Sequence, residues 1–298
     1  MADDTQVPGT NDPSRGDLTR RDFVSLSVAA GLAAAVGATV EAQAGVVETT
    51  VEVKTPDGTC DAAFIHPASG SHPGVIIWPD AFGLRPAMRD MGKRLAADGY
   101  SVLVPNPYYR ATKAPGIDMT NFSFQNQENM AALRKLMSGI SASGAAERDA
   151  AAFVAFLDAQ PQVDKTKKVG TQGYCMGGPL VFRTAAAVPD RIGAGASFHG
   201  GGLVTQAPDS PHTLIPRMKA RLYVAVASND DARQPEAKDT LKAAFAAAGV
   251  PAEVEVYQGL HGWCVPDMPA EAGKPIYNKP EAERAWAKLV ALYKAALV

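Results

Sequence analysis

Hydrophobic and polar residues alternate along the chain just after residue 45, and short apolar runs follow further on. Residues 46–53 alternate, a turn signal follows at 56–58, and 60–65 form a second predicted strand, so this stretch predicts a leading β-hairpin. The continuous apolar run at 75–78 predicts a strand that is buried on both faces. Further strands are predicted at 101–104, 169–174, 192–198, 222–227 and 254–257.

Stretches with helical spacing lie between these strands. They are 86–98, which is followed by a predicted C-cap glycine, Gly99, and then 126–137, 147–160, 176–187, 235–248 and 281–297. The alternation of strands and helices predicts an α/β fold, a mostly parallel sheet with helices on both faces. Two long connections without periodicity, 200–219 and 262–280, follow strands, so we expect them to shape a binding site.

Composition and charge narrow the function classes. The chain has 298 residues, of which 46% are hydrophobic and 20% are charged, which is typical of a globular protein and excludes a disordered or disulfide-scaffold chain. Lys and Arg number 29 against 31 Asp and Glu. Without a basic excess, no nucleic-acid partner is predicted.

The first 44 residues have the three parts of an export signal. Arg20 and Arg21 precede Phe23, a weakly apolar stretch rich in Ala and Gly runs to about residue 40, and 42–44 is an A-x-A cleavage site. We interpret 1–44 as a signal peptide that resembles twin-arginine signals, and 45–298 as one folded domain. The prediction is export by the twin-arginine machinery to the periplasm or beyond. The stretch holds too few Leu, Ile and Phe for a stable membrane span.

The candidate nucleophile lies where a predicted strand meets a predicted helix. Residues 173–178 read Gly-Tyr-Cys-Met-Gly-Gly, which matches the G-x-S-x-G nucleophile elbow with Cys175 in place of the serine. Gly173 and Gly177 remove side chains that would collide in this strained turn. The alternative is a buried structural cysteine in a glycine-rich turn.

A thiol nucleophile needs a base that is oriented by an acid, and elbow hydrolases place the acid and then the histidine downstream. Of the five histidines, His261 follows the last predicted strand and is the predicted base. The acid should follow the strand 222–227, where Asp230 is the first choice and Asp231 remains open. His199 ends another strand and is predicted to line the pocket.

The loop after the strand 75–78 should contribute to the oxyanion hole. The backbone N–H groups of Ala81 and Met176 are the two predicted donors. Asp80 is expected either to face Cys175 and influence the thiol, or to cap the helix near residue 86.

The three cysteines are Cys60, Cys175 and Cys264. Two alternatives remain open: Cys60 pairs with Cys264, or all three thiols are free. His261 and Cys264 alone are too few ligands for zinc, so no metal site is predicted, and the proposed chemistry needs no cofactor.

These motifs resemble the dienelactone hydrolase (carboxymethylenebutenolidase-like) family of α/β-hydrolases over about residues 46–298. The cysteine elbow at 173–178 carries the resemblance most specifically, with Phe-Gly at 82–83, Gly-Tyr at 99–100, Val-Pro-Asn-Pro-Tyr-Tyr at 104–109, Asn-Asp at 229–230 and His-Gly-Trp at 261–263. The resemblance implies an α/β-hydrolase fold with Cys175, Asp230 and His261 as the triad. Phe82 and Trp263 in these motifs, with Asp80 and His199, are the predicted pocket residues.

The chain also departs from the family pattern. Asp80 stands where the family's type enzymes have Glu, and 262–267 lack the Arg that binds the substrate carboxylate. Arg134 lies near the place of a second such Arg, without a secure alignment. We therefore expect a hydrolase of small esters or lactones that uses an acyl-cysteine intermediate. The alternative is a non-catalytic exported binding protein that keeps the fold.

Overall fold

A computed structural model describes residues 40–43, 45–270 and 273–298, the first of these ranges by its backbone alone. Most of the predicted signal peptide lies outside the described residues. Residues 40–43 form a strand that the sequence analysis did not predict. No helix among the residues from 40 onward that the structure describes is long and apolar enough to cross a membrane.

A single mixed sheet forms the centre of the fold. Its strands lie in the order β1-β2-β3-β5-β4-β6-β7-β8-β9. Pairing is antiparallel from β1 through β3 to β5 and parallel across the rest of the sheet. The strands are β1 Val40–Gln43, β2 Val46–Thr55, β3 Gly58–Pro67, β4 Gly74–Trp78, β5 Ser101–Pro105, β6 Val169–Tyr174, β7 Ile192–Phe198, β8 Arg221–Val226 and β9 Ala252–Val256.

The predicted hairpin and the predicted mostly parallel α/β sheet are both confirmed. β2 and β3 pair over their full length, with Thr55 opposite Gly58 across the turn. The five parallel pairings bring the carboxyl ends of β4, β5, β6, β7, β8 and β9 to one edge of the sheet. The loops that follow these ends therefore converge there.

Helices cover both faces of the sheet. They are α1 Pro86–Ala97, α2 Gln127–Ser141, α3 Ala145–Asp158, α4 Gly177–Ala187, α5 Ser228–Arg233, α6 Ala237–Ala248 and α7 Lys279–Leu297, with a 3-10 helix at Pro211–Arg217. The short α5 was not predicted, since six residues are too few to show helical spacing. Helix α6 begins two residues later than predicted.

The strands are apolar on both sides because two cores flank the sheet. Along β4, Ile76 and Trp78 belong to one core, and Val75 and Ile77 belong to the other. Side chains of α2, α3, α4 and α6 join the first core, and those of α1 and α7 join the second. Burial on both faces explains why the sequence shows continuous apolar runs rather than alternation.

All three cysteines are free, so the alternative with a Cys60–Cys264 disulfide is not realised. Cys60 packs in the first core and Cys264 packs in the second. The two thiols therefore lie on opposite faces of the sheet, where no bridge can join them.

Candidate active site

The turn between β6 and α4 holds Cys175 in a strained backbone conformation. Its φ is +51°, a left-handed value that is uncommon for any residue except glycine. A Cβ on Gly173 would lie 2.1 Å from the carbonyl oxygen of Gly177, and one on Gly177 would lie 2.4 Å from that of Trp78. Glycine is therefore required at both places, which explains the spacing of the motif.

The backbone of Cys175 is held from the neighbouring strand. Its N–H is shared between the carbonyl oxygen of Phe198 and Nδ1 of His199, each at 3.1 Å. The thiol is partly exposed and lies just before the first turn of α4. The dipole of this 11-residue helix favours a negative charge at that position.

Asp230 and His261 meet beside Cys175, although 31 residues separate them in the sequence. The Oδ2 of Asp230 lies 2.6 Å from Nδ1 of His261, and the side chain of Asn229 accepts the His261 backbone N–H at 2.8 Å. Asp231, the other predicted acid, instead accepts a hydrogen bond from the Lys238 ammonium at 2.7 Å. Asp230 is thus the carboxylate that contacts the imidazole.

His261 is arranged to carry a proton. Burial lowers its pKa, but hydrogen bonds to Asp230 and to the Cys175 thiol, together with the charges of both groups, raise it to about 10. Because Nδ1 is held by Asp230, Nε2 is the nitrogen that remains for the thiol. The imidazole at this place can therefore hold a proton taken from the Cys175 thiol.

His199 lies beneath the site, fully buried, and does not line the cavity next to Cys175. Its backbone φ is +39°, and its ring lies 4.8 Å from that of His261. Burial, and then the charge of His261, hold its pKa well below the usual value. The ring is therefore neutral, and since Nδ1 accepts from Cys175, Nε2 carries the hydrogen. That Nε2 is buried without a partner in the described part of the chain.

Asp80 contacts neither the thiol nor the helix N-terminus. Its two oxygens accept from the two terminal nitrogens of Arg85 at 2.7 and 2.9 Å, and one of them also accepts the N–H of Phe82. Arg85 donates further to both oxygens of Asp267, at 2.8 Å each. Both expectations for Asp80 are corrected, because Arg85 lies five residues away and neutralises the carboxylate directly.

Phe82 and Trp263, the remaining two predicted pocket residues, are buried and support the loops of the site. Phe82 packs edge-to-face on Phe122 at 4.9 Å, and Trp263 stacks on Tyr257 at 4.8 Å. Neither lines the cavity at Cys175. Arg134, considered as a carboxylate-binding residue, is exposed on α2 and is not part of that lining either.

The two predicted oxyanion donors lie in loops that Tyr108 joins. The Tyr108 hydroxyl donates to the carbonyl oxygen of Ala81 at 2.6 Å and contacts the Met176 sulfur at 3.5 Å. Within the described ranges, neither the Ala81 N–H nor the Met176 N–H has an acceptor. Tyr108 was not predicted as a site residue, and its only signal was its place in the motif at 104–109.

A cavity of about 420 Å³ opens at Cys175. Helices α2, α3 and α4 and the loop 201–211 line it. Its size is typical of a site for a small organic molecule. Among the residues that the structure describes, no three His, Cys, Asp or Glu side chains are grouped as metal ligands would be.

Comparison with known proteins gives a consistent picture. The model of the dienelactone hydrolase family matches residues 60–297. A carboxymethylenebutenolidase from a Pseudomonas species is 28% identical over 221 residues, which cover 73% of this chain and 82% of that protein. The carboxymethylenebutenolidase of Rhodococcus opacus is 26% identical over 229 residues, which cover 74% of this chain and 83% of the relative.

The fold has solved counterparts. One is a dienelactone hydrolase-like promiscuous phosphotriesterase from metagenomic libraries. It superposes with a TM-score of 0.68 at 23% identity and covers 84% of this chain and 99% of its own. This likeness shows that the α/β-hydrolase fold is shared.

Proposed function

The chain belongs to the dienelactone hydrolase family, and from this premise we propose that it hydrolyses esters or lactones through an acyl-cysteine intermediate on Cys175. The observation that carries the proposal is the 2.6 Å contact between Asp230 and His261, with the imidazole also hydrogen-bonded to the thiol. A protein that only binds a ligand has no need of nucleophile, acid and base together.

The proposed reaction begins with attack of the Cys175 sulfur on the ester carbonyl, with the thiol proton transferred to Nε2 of His261. The carbonyl π electrons move to oxygen, and the unpaired N–H groups of Ala81 and Met176 stabilise the negative charge. When the tetrahedral intermediate collapses, the alcohol leaves with the proton from Nε2 of His261. The acyl group is then a thioester on Cys175.

Water completes the cycle in the second half. His261 is now neutral and accepts a proton from the water as its oxygen attacks the thioester carbonyl. The C–S bond breaks, the carboxylic acid leaves, and the imidazolium returns its proton to Cys175, which regains its starting state. Asp230 holds Nδ1 throughout and keeps Nε2 directed at the reacting atoms.

The test compares the protein without residues 1–44 with its Cys175→Ala variant on a dienelactone and on a small aryl ester. Turnover of either compound that disappears in the variant supports the proposal. Turnover that survives in Cys175→Ala contradicts the assigned nucleophile. No turnover of any ester or lactone, with binding retained, would favour the non-catalytic alternative.

We also propose that the protein is exported as a twin-arginine substrate, on the pattern of Arg20, Arg21, Phe23 and residues 42–44. Cleavage after residue 44 would remove β1 and leave β2 as the edge strand. Fractionation of cells that make the wild-type protein or the Arg20→Lys/Arg21→Lys variant tests this proposal. We expect the wild type in the periplasm or medium, with its N-terminus at residue 45, and the variant in the cytoplasm.

A further inference from the structure

The cavity at Cys175 is apolar over most of its wall. Met137 and Ile140 come from α2, Leu180 comes from α4, and Met176 lies beside the nucleophile. An acyl group attached to the Cys175 sulfur would lie against these side chains. Such a wall favours carbon and hydrogen over charged atoms.

The cavity lining includes Arg183 and the carboxylate of Asp209, and Glu147 pairs with Arg183 from outside that lining. Arg183 donates to the Glu147 carboxylate at 2.8 Å through one terminal nitrogen and to the Asp209 carboxylate at 2.8 Å through the other. The second nitrogen also reaches the Asp209 carbonyl oxygen at 3.1 Å. Arg183 is the one cation in this lining among the described residues. Together, the Arg183 guanidinium and the carboxylates of Glu147 and Asp209 have a net charge of about −1.

The loop after β4 repeats this arrangement on its own side of the site. Arg85 is also held between two carboxylates, those of Asp80 and Asp267, and its side chain is only 4% exposed. Its donors are occupied, so it has none to offer a substrate carboxylate. The arginine at each of these two places is therefore outnumbered by acids.

We propose that this enzyme takes esters or lactones with an uncharged, apolar acyl group, and that Glu147 and Asp209 determine this specificity by cancelling Arg183. The inference rests on the proposed function, because it describes the acyl site of the proposed acyl-cysteine. An anionic acyl group would leave water for a cavity in which Arg183, the one cation of the described lining, is already neutralised, and this desolvation is unfavourable.

The experiment uses two aryl esters that differ only at the end of the acyl chain. 4-Nitrophenyl pentanoate ends in a methyl group, and the mono-4-nitrophenyl ester of glutaric acid ends in a carboxylate. We expect the wild-type kcat/KM to favour the pentanoate by about tenfold or more, the effect of one unit charge in a partly buried site.

Two variants release Arg183 from its partners. In Glu147→Gln, and more strongly in Glu147→Gln/Asp209→Asn, the ratio of kcat/KM should move toward the glutarate ester by about tenfold. Asp158→Asn is the matched control, because Asp158 also lies on α3 and pairs with an arginine, Arg191, which is outside the cavity lining. It should leave the ratio unchanged. Circular dichroism checks that each variant is folded. If the double variant does not fold, the Glu147→Gln variant alone tests the inference.

Several results would overturn the inference. One is a wild type that prefers the glutarate ester. If Arg233→Gln abolished that preference, the exposed Arg233 beside Asp230 would be the group that binds the carboxylate. Another is an unchanged ratio in the folded Glu147→Gln variant. A wild type that turns over neither ester, nor any other ester or lactone, would instead contradict the proposed function itself, so the two failures are distinguishable.

Discussion

Two loops each bring a histidine next to Cys175, and the surroundings of the two rings shift their pKa values in opposite directions. The loop after β9 carries His261, whose side chain is 30% exposed and contacts the Asp230 carboxylate. The loop after β7 carries His199, which is fully buried and has no carboxylate partner in the part of the chain that the structure describes. The pKa of His261 is raised to about 10, whereas that of His199 is held well below its usual value.

The difference shows that surroundings, and not residue type, assign the two roles. Burial disfavours a charged ring at both places, and only at His261 do the carboxylate and the thiol compensate for it. His261 can therefore hold and return a proton. His199 keeps one neutral tautomer, whose Nδ1 accepts the N–H of Cys175 and so fixes the elbow.

Removal of His261 should have the largest effect on catalysis. In His261→Ala we expect kcat for an aryl ester to fall by about 10⁴-fold or more, because the variant lacks both the base and the acid of the cycle. Alkylation of Cys175 by iodoacetamide at neutral pH should slow as well, since the variant lacks the imidazole that takes the thiol proton. Steady-state kinetics and peptide mass mapping measure the two effects.

His72→Gln is the control for that substitution, because the His72 ring hydrogen-bonds to the Ser69 carbonyl oxygen of its own loop. Its kinetics should match those of the wild type. Full activity in His261→Ala would contradict the role given to the β9 loop.

The acid that distinguishes His261 from His199 is the next target. Asp230→Asn should lower kcat by about 10²- to 10⁴-fold, since the amide no longer stabilises the imidazolium or its tautomer. Asp231→Asn changes the neighbouring residue, which pairs with Lys238, and should stay within about twofold of the wild type. Equal losses in the two variants would show that Asp230 has no special part.

Changes at His199 test whether its role is to position the nucleophile. His199→Leu removes the acceptor of the Cys175 N–H, and we expect kcat to fall by roughly ten- to a hundredfold with little change in KM. His199→Asn keeps a side-chain acceptor and tolerates the positive φ, so it should recover much of the loss. The pH profile of iodoacetamide alkylation should shift in the leucine variant and return in the asparagine variant. A common effect of both variants on stability alone would contradict the positioning role.

The smallest expected effect is on stability against pH, where the two histidines should have opposite signs. His261 has a raised pKa in the folded state, so its stabilisation is complete below about pH 6.5 and is lost as the pH rises toward about 10. His199 has a lowered pKa, so the folded state loses stability as the pH falls below about 6.5.

Urea unfolding of the wild type, His261→Gln and His199→Asn between pH 5 and pH 10 measures both slopes. The difference between the wild type and His261→Gln should shrink by about 1 kcal/mol or more across the alkaline half of this range. The difference between the wild type and His199→Asn should change in the acidic half. Parallel curves for all three proteins would contradict the opposite titration of the two rings.

Local steric rules made much of the fold predictable from the sequence. The strand–helix alternation follows from burial on one or two faces. The elbow follows from glycine at 173 and 177, where the Cβ of any other residue would collide with backbone. The order of Cys175, Asp230 and His261 in the chain predicted which side chains the structure brings together, and the 2.6 Å contact distinguishes Asp230 from Asp231.

Long-range pairing was not predictable. Arg85 meets Asp267 across 182 residues, and neither residue stands in a motif. His199 was expected to line the pocket because it follows a strand, but its positive φ places it beneath the site, and sequence alone does not reveal that φ. The acids that neutralise Arg183 come from separate elements, so only the fold brings them together.

The most direct test of the cysteine mechanism is to trap the proposed acyl group on Cys175. The wild-type protein is mixed with excess 4-nitrophenyl pentanoate, quenched in acid within milliseconds, and analysed by intact mass and peptide mapping. We predict a burst of about one equivalent of 4-nitrophenol and a pentanoyl group on Cys175 alone. Steady release of 4-nitrophenol with the acyl group on another residue, or with undiminished turnover in Cys175→Ala, would contradict the cysteine mechanism.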